Sequence, residues 1–520
     1  MSGNKTTEAG SAGKNGVARL IFVIIAIFLE VLVILALILR FSDKAAWINI
    51  VMRVAAVMIV LGVYSQKKTA SIRVPWIILI MAAPVLGVSL FLMIGLNGST
   101  RKMRKRYQEI DDILLPMLPE NQDELQALAN RHPGAGNLSA YIHTYGGYPV
   151  YRNTDVVYYE EAADGLEAQL TALARAKRFI FMEYHAIEDS YSFHRLQAVL
   201  EDRAAHGVEV RLFYDDMGSI GFITTDFVKK MEAVGIRCRV FNPFAPGLNL
   251  FLNNRDHRKI TVIDGQVGFT GGYNLANEYF NIDAPYGYWK DTGVRLEGDA
   301  VRSLTVTFLE MWNAVSGTDE NDRDFARYLP DTEYRAQTPC YVQPYADGPM
   351  GHEHVGENVY ISMAETARRY AWFITPYLIV TDELIHAFGL AAKRGVDVRI
   401  ITPGVPDKKL IYQVTRSYYN SLVRDGVRIF EYTPGFCHCK MSVADDLMAT
   451  CGTINLDYRS LYHHFENGCF LCDGQAILDI KTDFDRTLAQ CREVTDYYRD
   501  GRGQFLRLGQ LILRLFAPLL

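Results

Sequence analysis

Hydrophobic and polar positions divide this chain into two unlike parts. Apolar runs occupy 20–39, 45–64 and 74–96; Glu30 interrupts the first, Asn49 and Arg53 the second, and the third carries no charge but contains Pro84 and Gly87. About 20 apolar residues span the hydrocarbon core of a bilayer, so the pattern predicts N-terminal transmembrane helices. The first run is too long for a signal peptide and lacks a small-residue cleavage site, so it is expected to be retained. Folding the first two runs into a hairpin sets Glu30 and Arg53 at matching depth, where opposite charges neutralise each other. The third run either crosses the membrane or turns back near Pro84. Arg101, Lys102, Arg104, Lys105 and Arg106 follow it directly, and such a basic cluster places the polar remainder in the cytoplasm.

Beyond residue 106 the pattern changes. Residues 107–145 read as a mixed linker with little strand character. The chain then repeats itself: GVEVRLFYDD at 207–216 returns as GVDVRIITPG at 395–404, and GIRCRVFNPF at 235–244 as GVRIFEYTPGF at 426–436. KRFIFMEYHAI at 177–187 likewise matches RRYAWFITPYLIV at 368–380. Repeats at that separation are domain-sized units. In each, β-rich apolar runs alternate with helical stretches such as 193–205 and 382–394, which predicts an α/β fold with both sheet faces covered. At the far end Phe505, Leu508, Leu511, Ile512, Leu515, Phe516 and Leu519 recur at helical spacing, with Arg507 and Arg514 on the other face. This predicts an amphipathic helix over 501–520 lying on an anionic bilayer.

Composition narrows the function. The 520 residues carry a net charge of -5, which gives no sign of a polyanion binder, and no basic stretch interleaves with the abundant Tyr as a nucleic-acid platform requires. Tyr279, Tyr286, Tyr288, Tyr418, Tyr419, Tyr458 and Tyr462 are expected in packing or at a membrane interface. Seven of the eight Cys lie in the second half, and all are too sparse for a disulfide scaffold. Cys437 and Cys439 are expected as buried thiols, since strand alternation points them away from their neighbours His438 and Lys440.

Those neighbours carry the chemistry. His257, Lys259 and Asp264 form an HxKxxxxD motif, as do His438, Lys440 and Asp445; Asn274 and Asn455 each follow their His by 17 residues. Two copies at one spacing predict a shared site with two imidazoles and two ammonium groups at one point. Lys and amide donors stabilise a phosphodiester as its charge grows, while one imidazole attacks phosphorus and the other protonates the leaving alcohol. By position Asp291 and Glu466 are candidates to hold the two imidazoles and complete the substrate-binding set with the two Asn. Asp264 and Asp445 are expected to support the fold and the Lys. No metal and no cofactor are required.

The duplicated motif resembles the phospholipase D superfamily, and within it the bacterial cardiolipin synthases. The strings NNRDHRKITVIDGQVGFTGGYNLANEY, YWKDTGVRLEG and GTINLDYRSLYHHFENG carry the likeness, which extends from about residue 75 to the end. The first copy departs from the pattern with Gly271-Gly272, where Gly-Ser or Gly-Thr is common. The resemblance implies two phospholipase D-like repeats, 146–330 and 331–500, each a mixed β-sheet flanked by helices, behind an N-terminal membrane domain over 1–106. It implies phosphatidyl transfer between two phosphatidylglycerol molecules at an anionic membrane, with His257 as nucleophile and His438 as acid. The alternative is a phospholipase D-type hydrolase or another phosphatidyltransferase. Oligomeric state is not legible.

Overall fold

The computed structural model describes residues 46–499 except 67–68, 96–97, 244–253, 316–323, 332 and 352, together with isolated positions between 21 and 32 and Leu513, Arg514 and Ala517. The first apolar run, with Glu30, therefore lies largely outside the described residues.

Two sheets with one strand order make up the polar part. The first contains β1 (Thr154–Tyr159), β2 (Phe179–Tyr184), β3 (Glu209–Asp215), β4 (Ile236–Phe241), β6 (Lys259–Ile263), β7 (Val267–Gly271) and β8 (Gly293–Gly298), ordered β1-β8-β7-β6-β2-β3-β4. The second repeats it with β9 (Tyr341–Asp347), β17 (His464–Cys472), β15 (Met448–Gly452), β14 (Met441–Ala444), β10 (Tyr370–Ile374), β12 (Asp397–Pro403) and β13 (Arg428–Tyr432). In both sheets the repeated sequence segments form the parallel trio (β2, β3, β4 and β10, β12, β13), and the motif strands run antiparallel beside it. The short strand β18 (Cys491–Glu493) closes the edge at β13.

The sheets are covered on both faces, which is why their strands read as continuous apolar runs. Along β2, Phe179 and Phe181 enter the core shared with the second repeat. Ile180, Met182 and Tyr184 enter a separate core under the helices Ala162–Leu173 and Tyr191–Ala205. The repeats also exchange backbone. A two-residue strand β5 (Arg255–Asp256) pairs in parallel with the start of β17, and Lys290 forms a bridge with Cys437. Each exchange falls immediately before a motif His.

Asp264 and Asp445 do one job twice, and it is structural. Asp264 accepts from the backbone N–H groups of Lys177, Arg178 and Phe179 at 2.7–2.9 Å. Asp445 accepts from those of Arg368, Arg369 and Tyr370 at 2.7–3.0 Å. Both have left-handed backbone, at φ 55° and 57°, and both stand at the far end of the motif strand, about 16 Å along from its Lys at a rise of ~3.3 Å per residue. They pin the entry of β2 and β10, and the expected support of the Lys is not seen.

One further expectation is corrected. Residues 107–145 are not a linker: the helices Gly98–Leu114, Gln122–Arg131 and Pro133–Tyr141 and the turn after them place Leu114, Leu128, Leu138 and Ile142 in the shared core. In the tail, the apolar residues expected on the bilayer lie outside the described residues. Leu513 packs on the shared core, Arg514 lies 4.2 Å over the Tyr418 ring, and Ala517 is buried.

Among the described residues no helix is long and apolar enough to cross a membrane. The second apolar run forms the helix Ala46–Tyr64, and the third breaks at Ala83 into the helices Ala70–Ala82 and Pro84–Gly95. The broken pair folds back on itself, with the Trp76 and Phe91 rings 5.5 Å apart. Gly87 permits the approach, since a Cβ there would lie 2.5 Å from the Ile80 Cα. Ile50, Val54, Met58, Leu61, Ile78 and Met81 are exposed on these helices.

Replacing Asp264 or Asp445 by Ala removes three charge-assisted acceptor contacts and should cost about 2–3 kcal/mol in denaturant unfolding. Asp264→Asn should cost less, because Asn keeps an acceptor and tolerates the left-handed backbone.

Candidate active site

The two motif His residues stand just ahead of their strands instead of within them: β6 begins at Lys259, and β14 one residue after Lys440. Each is fixed by the opposite repeat. The His257 backbone N–H donates to the Phe465 carbonyl at 2.8 Å, and that of His438 to the Lys290 carbonyl at 2.8 Å. The side chains follow. His257 Nδ1 donates to Glu466, 2.9 Å from either oxygen, and His438 Nδ1 donates to Asp291 at 2.7 Å. A carboxylate accepts, so each imidazole turns a protonated Nδ1 to its partner and Nε2 to the cavity, although Lys440 Nζ also lies 2.9 Å from His438 Nδ1. Asp291 and Glu466 are fully buried behind the rings and do not line the cavity, so the two carboxylates serve the imidazoles and not, as grouped from sequence, the substrate.

Salt bridges brace the exchanged segments. Arg255 forms a bidentate pair with Asp215 at 2.7–3.0 Å, and Asp215 also accepts from the Asp256 N–H. Lys290 meets Asp483 at 2.8 Å.

Lys259 and Lys440 lie beneath the imidazoles, almost wholly buried. Lys259 Nζ donates to the His257 carbonyl at 2.6 Å, and Lys440 Nζ to that of His438. Burial, with Lys440 nearby, pulls Lys259 down to about 7 against the attraction of Glu466. Lys440 is lowered by burial too, opposed by Asp291. A phosphodiester between the two ammonium groups would relieve both costs, which is the physical basis for reading them as its binding groups.

The two imidazoles are not equivalent. Burial and Lys259 drive His257 well below the ordinary range. His438 is lowered to about 4 by burial and Lys440, with Asp291 opposing. Their carboxylates differ in the reverse sense. Burial pushes Glu466 up, opposed by Lys259 and by the hydroxyls of Ser460 and Thr453, which both donate to it. Asp291 is held below its usual range despite burial, by His438 first. The Gly-Gly departure has its explanation here. Thr453 supplies a hydroxyl to Glu466, whereas a Cβ at Gly272 would lie 2.1 Å from Asp291 Oδ1, so the first copy needs glycine.

Both His open with Asn274 and Asn455 onto one cavity of about 710 Å³. Asn274 donates to the Tyr279 hydroxyl and accepts from the Ala186 N–H, while Asn455 Oδ1 is buried without a partner. Tyr279, Tyr286 and Tyr458, expected in packing, line this cavity. Sequence reading missed His185, Trp289, Tyr377 and His464, which line it as well. They lie outside the motif spacing, and only the sheet topology brings them in. The His185 ring stands 4.9 Å from that of His257 and the His464 ring 5.4 Å from it.

Among the described residues, His257, His464 and Glu466 alone form a group with ligand atoms within 4.8 Å of one another. Glu466 is already engaged by an imidazole and two hydroxyls there. Cys437 and Cys439 are free, buried thiols, and Cys439 donates to the Lys290 carbonyl at 3.3 Å.

A duplicated α/β sheet that brings two His-x-Lys motifs to one cavity is the architecture of the phospholipase D superfamily. The family described as "Cardiolipin synthase, PLD-like domain" matches residues 170–312 and 360–488, and the chain belongs to that family. It is 42% identical over 458 residues to an uncharacterized protein of Streptococcus mutans, covering 88% of this chain and 98% of that one. It is 30% identical over 476 residues to a cardiolipin synthase of Alkalihalophilus pseudofirmus, covering 91% and 94%. The solved phosphatidylserine synthase of Haemophilus influenzae shares the fold, with TM-score 0.54 and 14% identity over 74% of this chain and 97% of that one.

The depressed pKa of Lys259 sets an expected pH dependence. A lowered amine is charged below its pKa and neutral above, so the positive charge is lost as pH rises through about 7. The free-enzyme profile of kcat/KM for a phosphodiester should fall on that alkaline side. Lys259→Arg, which stays charged, should move the falling limb upward by more than one pH unit.

Proposed function

We propose that the chain is a cardiolipin synthase, a phosphatidyltransferase that joins two phosphatidylglycerol molecules and releases glycerol. The observation that carries this is the pair of carboxylate-held imidazoles that open onto one cavity, each with a buried Lys beneath it. The relatives named cardiolipin synthase across nine-tenths of the chain support the choice of substrate.

In this reading His438 takes up a proton on Nε2 as the anionic phosphodiester binds, its cation held by Asp291. His257 Nε2 then attacks the donor phosphorus as the bond to the glycerol headgroup breaks, and His438 gives that proton to the departing oxygen. A phosphohistidine and free glycerol result. A headgroup hydroxyl of the second lipid then attacks phosphorus, its proton passes to His438, and the P–N bond breaks to give cardiolipin. Lys259, Lys440 and the amides of Asn274 and Asn455 hold the non-bridging oxygens. Two observations support this order of roles. A nucleophile must be unprotonated, and His257 is the more strongly depressed imidazole. A general acid must hold a proton to give, and ionised Asp291 stabilises the His438 cation. Phosphodiester replaces phosphodiester, so neither nucleotide nor metal enters the balance.

The same reading holds the chain at the bacterial inner membrane by its apolar runs, with the catalytic part on the cytoplasmic side. The exposed apolar faces of the helices Ala46–Tyr64 and Ala70–Ala82 support it, because water does not stabilise so continuous a patch. The fold-back at Ala83 favours a third run that turns round without crossing.

Incubation with phosphatidylglycerol vesicles tests the reading. Cardiolipin with glycerol is expected; phosphatidate with glycerol would make the protein a hydrolase, and no product a scaffold. His257→Ala and His438→Ala should each lower turnover by more than about a thousandfold without unfolding the protein. A phosphoenzyme trapped in His438→Ala but absent from His257→Ala is the expected pattern, and its reverse would exchange the roles. Turnover should persist after chelation, since the two Lys supply the charge a Lewis acid would otherwise bring.

A further inference from the structure

The two motif copies differ in the residue between His and Lys. In the second copy it is Cys439, small enough for its thiol to close directly on the Lys290 carbonyl. In the first it is Arg258, a long cation with no exposure to solvent, whose alternation along the chain points it away from the cavity that His257 faces. A buried guanidinium must be paired, and the pairing comes from outside both motifs. Its Nη1 donates to the Thr307 carbonyl at 3.0 Å, and its Nη2 donates to the Tyr107 hydroxyl at 2.8 Å. Tyr107 in turn donates to Glu310 Oε2 at 3.1 Å. Arg258 and Glu310 themselves stand 4.0 Å apart, so the phenol bridges a buried ion pair and holds it open.

The Tyr107 ring makes a second contact. It lies 5.4 Å from the ring of Phe465, over which the Arg258 guanidinium also sits at 5.6 Å. Phe465 precedes Glu466, and its carbonyl accepts the His257 N–H. Tyr107 therefore touches the residue after His257 on one repeat and the residue before Glu466 on the other. Burial keeps its hydroxyl protonated, so it remains a donor to Glu310. The helix that carries it, Gly98–Leu114, exposes Arg101, Lys102, Arg104 and Lys105 and leads directly from the apolar helices.

We propose that Tyr107 is a positioning residue for the reaction: by bridging Arg258 to Glu310 and packing on Phe465, it sets the His257–Glu466 pair from the helix that follows the membrane segments. The proposal rests on His257 as the phosphoryl acceptor. Without the hydroxyl, Arg258 closes on Glu310 and drags the backbone between His257 and Lys259 with it.

The test is Tyr107→Phe in the full chain, reconstituted in phosphatidylglycerol vesicles. A fall in kcat of at least tenfold with KM unchanged within twofold is expected. Adding Glu310→Gln, which weakens the pull on Arg258, should restore at least a third of the lost kcat. A merely structural role would lower the melting temperature and leave kcat intact, and that result would overturn the proposal, as would a loss that Glu310→Gln does not relieve. Should Tyr107→Phe not fold, Phe465→Leu removes the other contact and should give the same kcat-only loss. Modification by diethylpyrocarbonate, read peptide by peptide, is a measure that needs no turnover. Its rate should change at least threefold at His257 and not at His438, even if the wild type made no cardiolipin. Equal rates at His257 in wild type and variant would sink the idea.

Discussion

Everything in this molecule turns on a crossed pair of hydrogen bonds. His257 belongs to the first repeat and takes its carboxylate, Glu466, from the second; His438 belongs to the second and takes Asp291 from the first. The backbone carbonyls that seat the two imidazoles are crossed in the same way. Two imidazoles, two ammonium groups and two carboxyl groups are thereby removed from water together. Each is tolerable only because the others are there, and removing one partner of such a buried set typically costs about 3–5 kcal/mol. The identical strand order of the two sheets makes the crossing possible, and the exchanged segment at β5 with the bridge at Lys290 locks it.

The pseudo-symmetry is then broken by small changes. Thr453 and Ser460 give Glu466 two hydroxyl donors, while Gly272 gives Asp291 none and lets it sit tight against the chain. Arg258 stands where the second copy has Cys439. These differences leave the strand order unchanged, while the carboxyl groups behind the two rings diverge: burial pushes Glu466 up, and Asp291 is held down despite burial by His438. The two imidazoles are thus distinguished by environment and not by residue type.

Much of this was legible in the chain. The repeat identified β2, β3 and β4 with β10, β12 and β13 because the inner strands β2 and β10 are buried on both faces and their neighbours on most positions, which forces matching apolar runs. The doubled HxK spacing identified both His and both Lys, since that chemistry tolerates no substitution. Spacing singled out Asp291 and Glu466 but could not say which imidazole each would meet, because crossing between repeats leaves no trace in linear order. Asp264 and Asp445 sit inside the motif, but left-handed backbone and amide contacts explain them without chemistry. The helices within 107–145 were passed over because their apolar positions are sparse and Pro116 and Pro119 suggested a linker; what packs them is the surface of the other elements. His185, Tyr377 and His464 carry no signal of their own.

The crossed arrangement also has a consequence in time. During synthesis the first repeat leaves the ribosome with His257 and Lys259 complete, long before Glu466 has been polymerised. Until β17 is made and docks beside β5, that imidazole has no fixed tautomer, no seated backbone and no partner acid. A half-made chain already threaded beside lipid is therefore chemically silent. Folding of the last sheet switches the enzyme on once, and no separate inhibitor is needed to guard the membrane from the nascent protein.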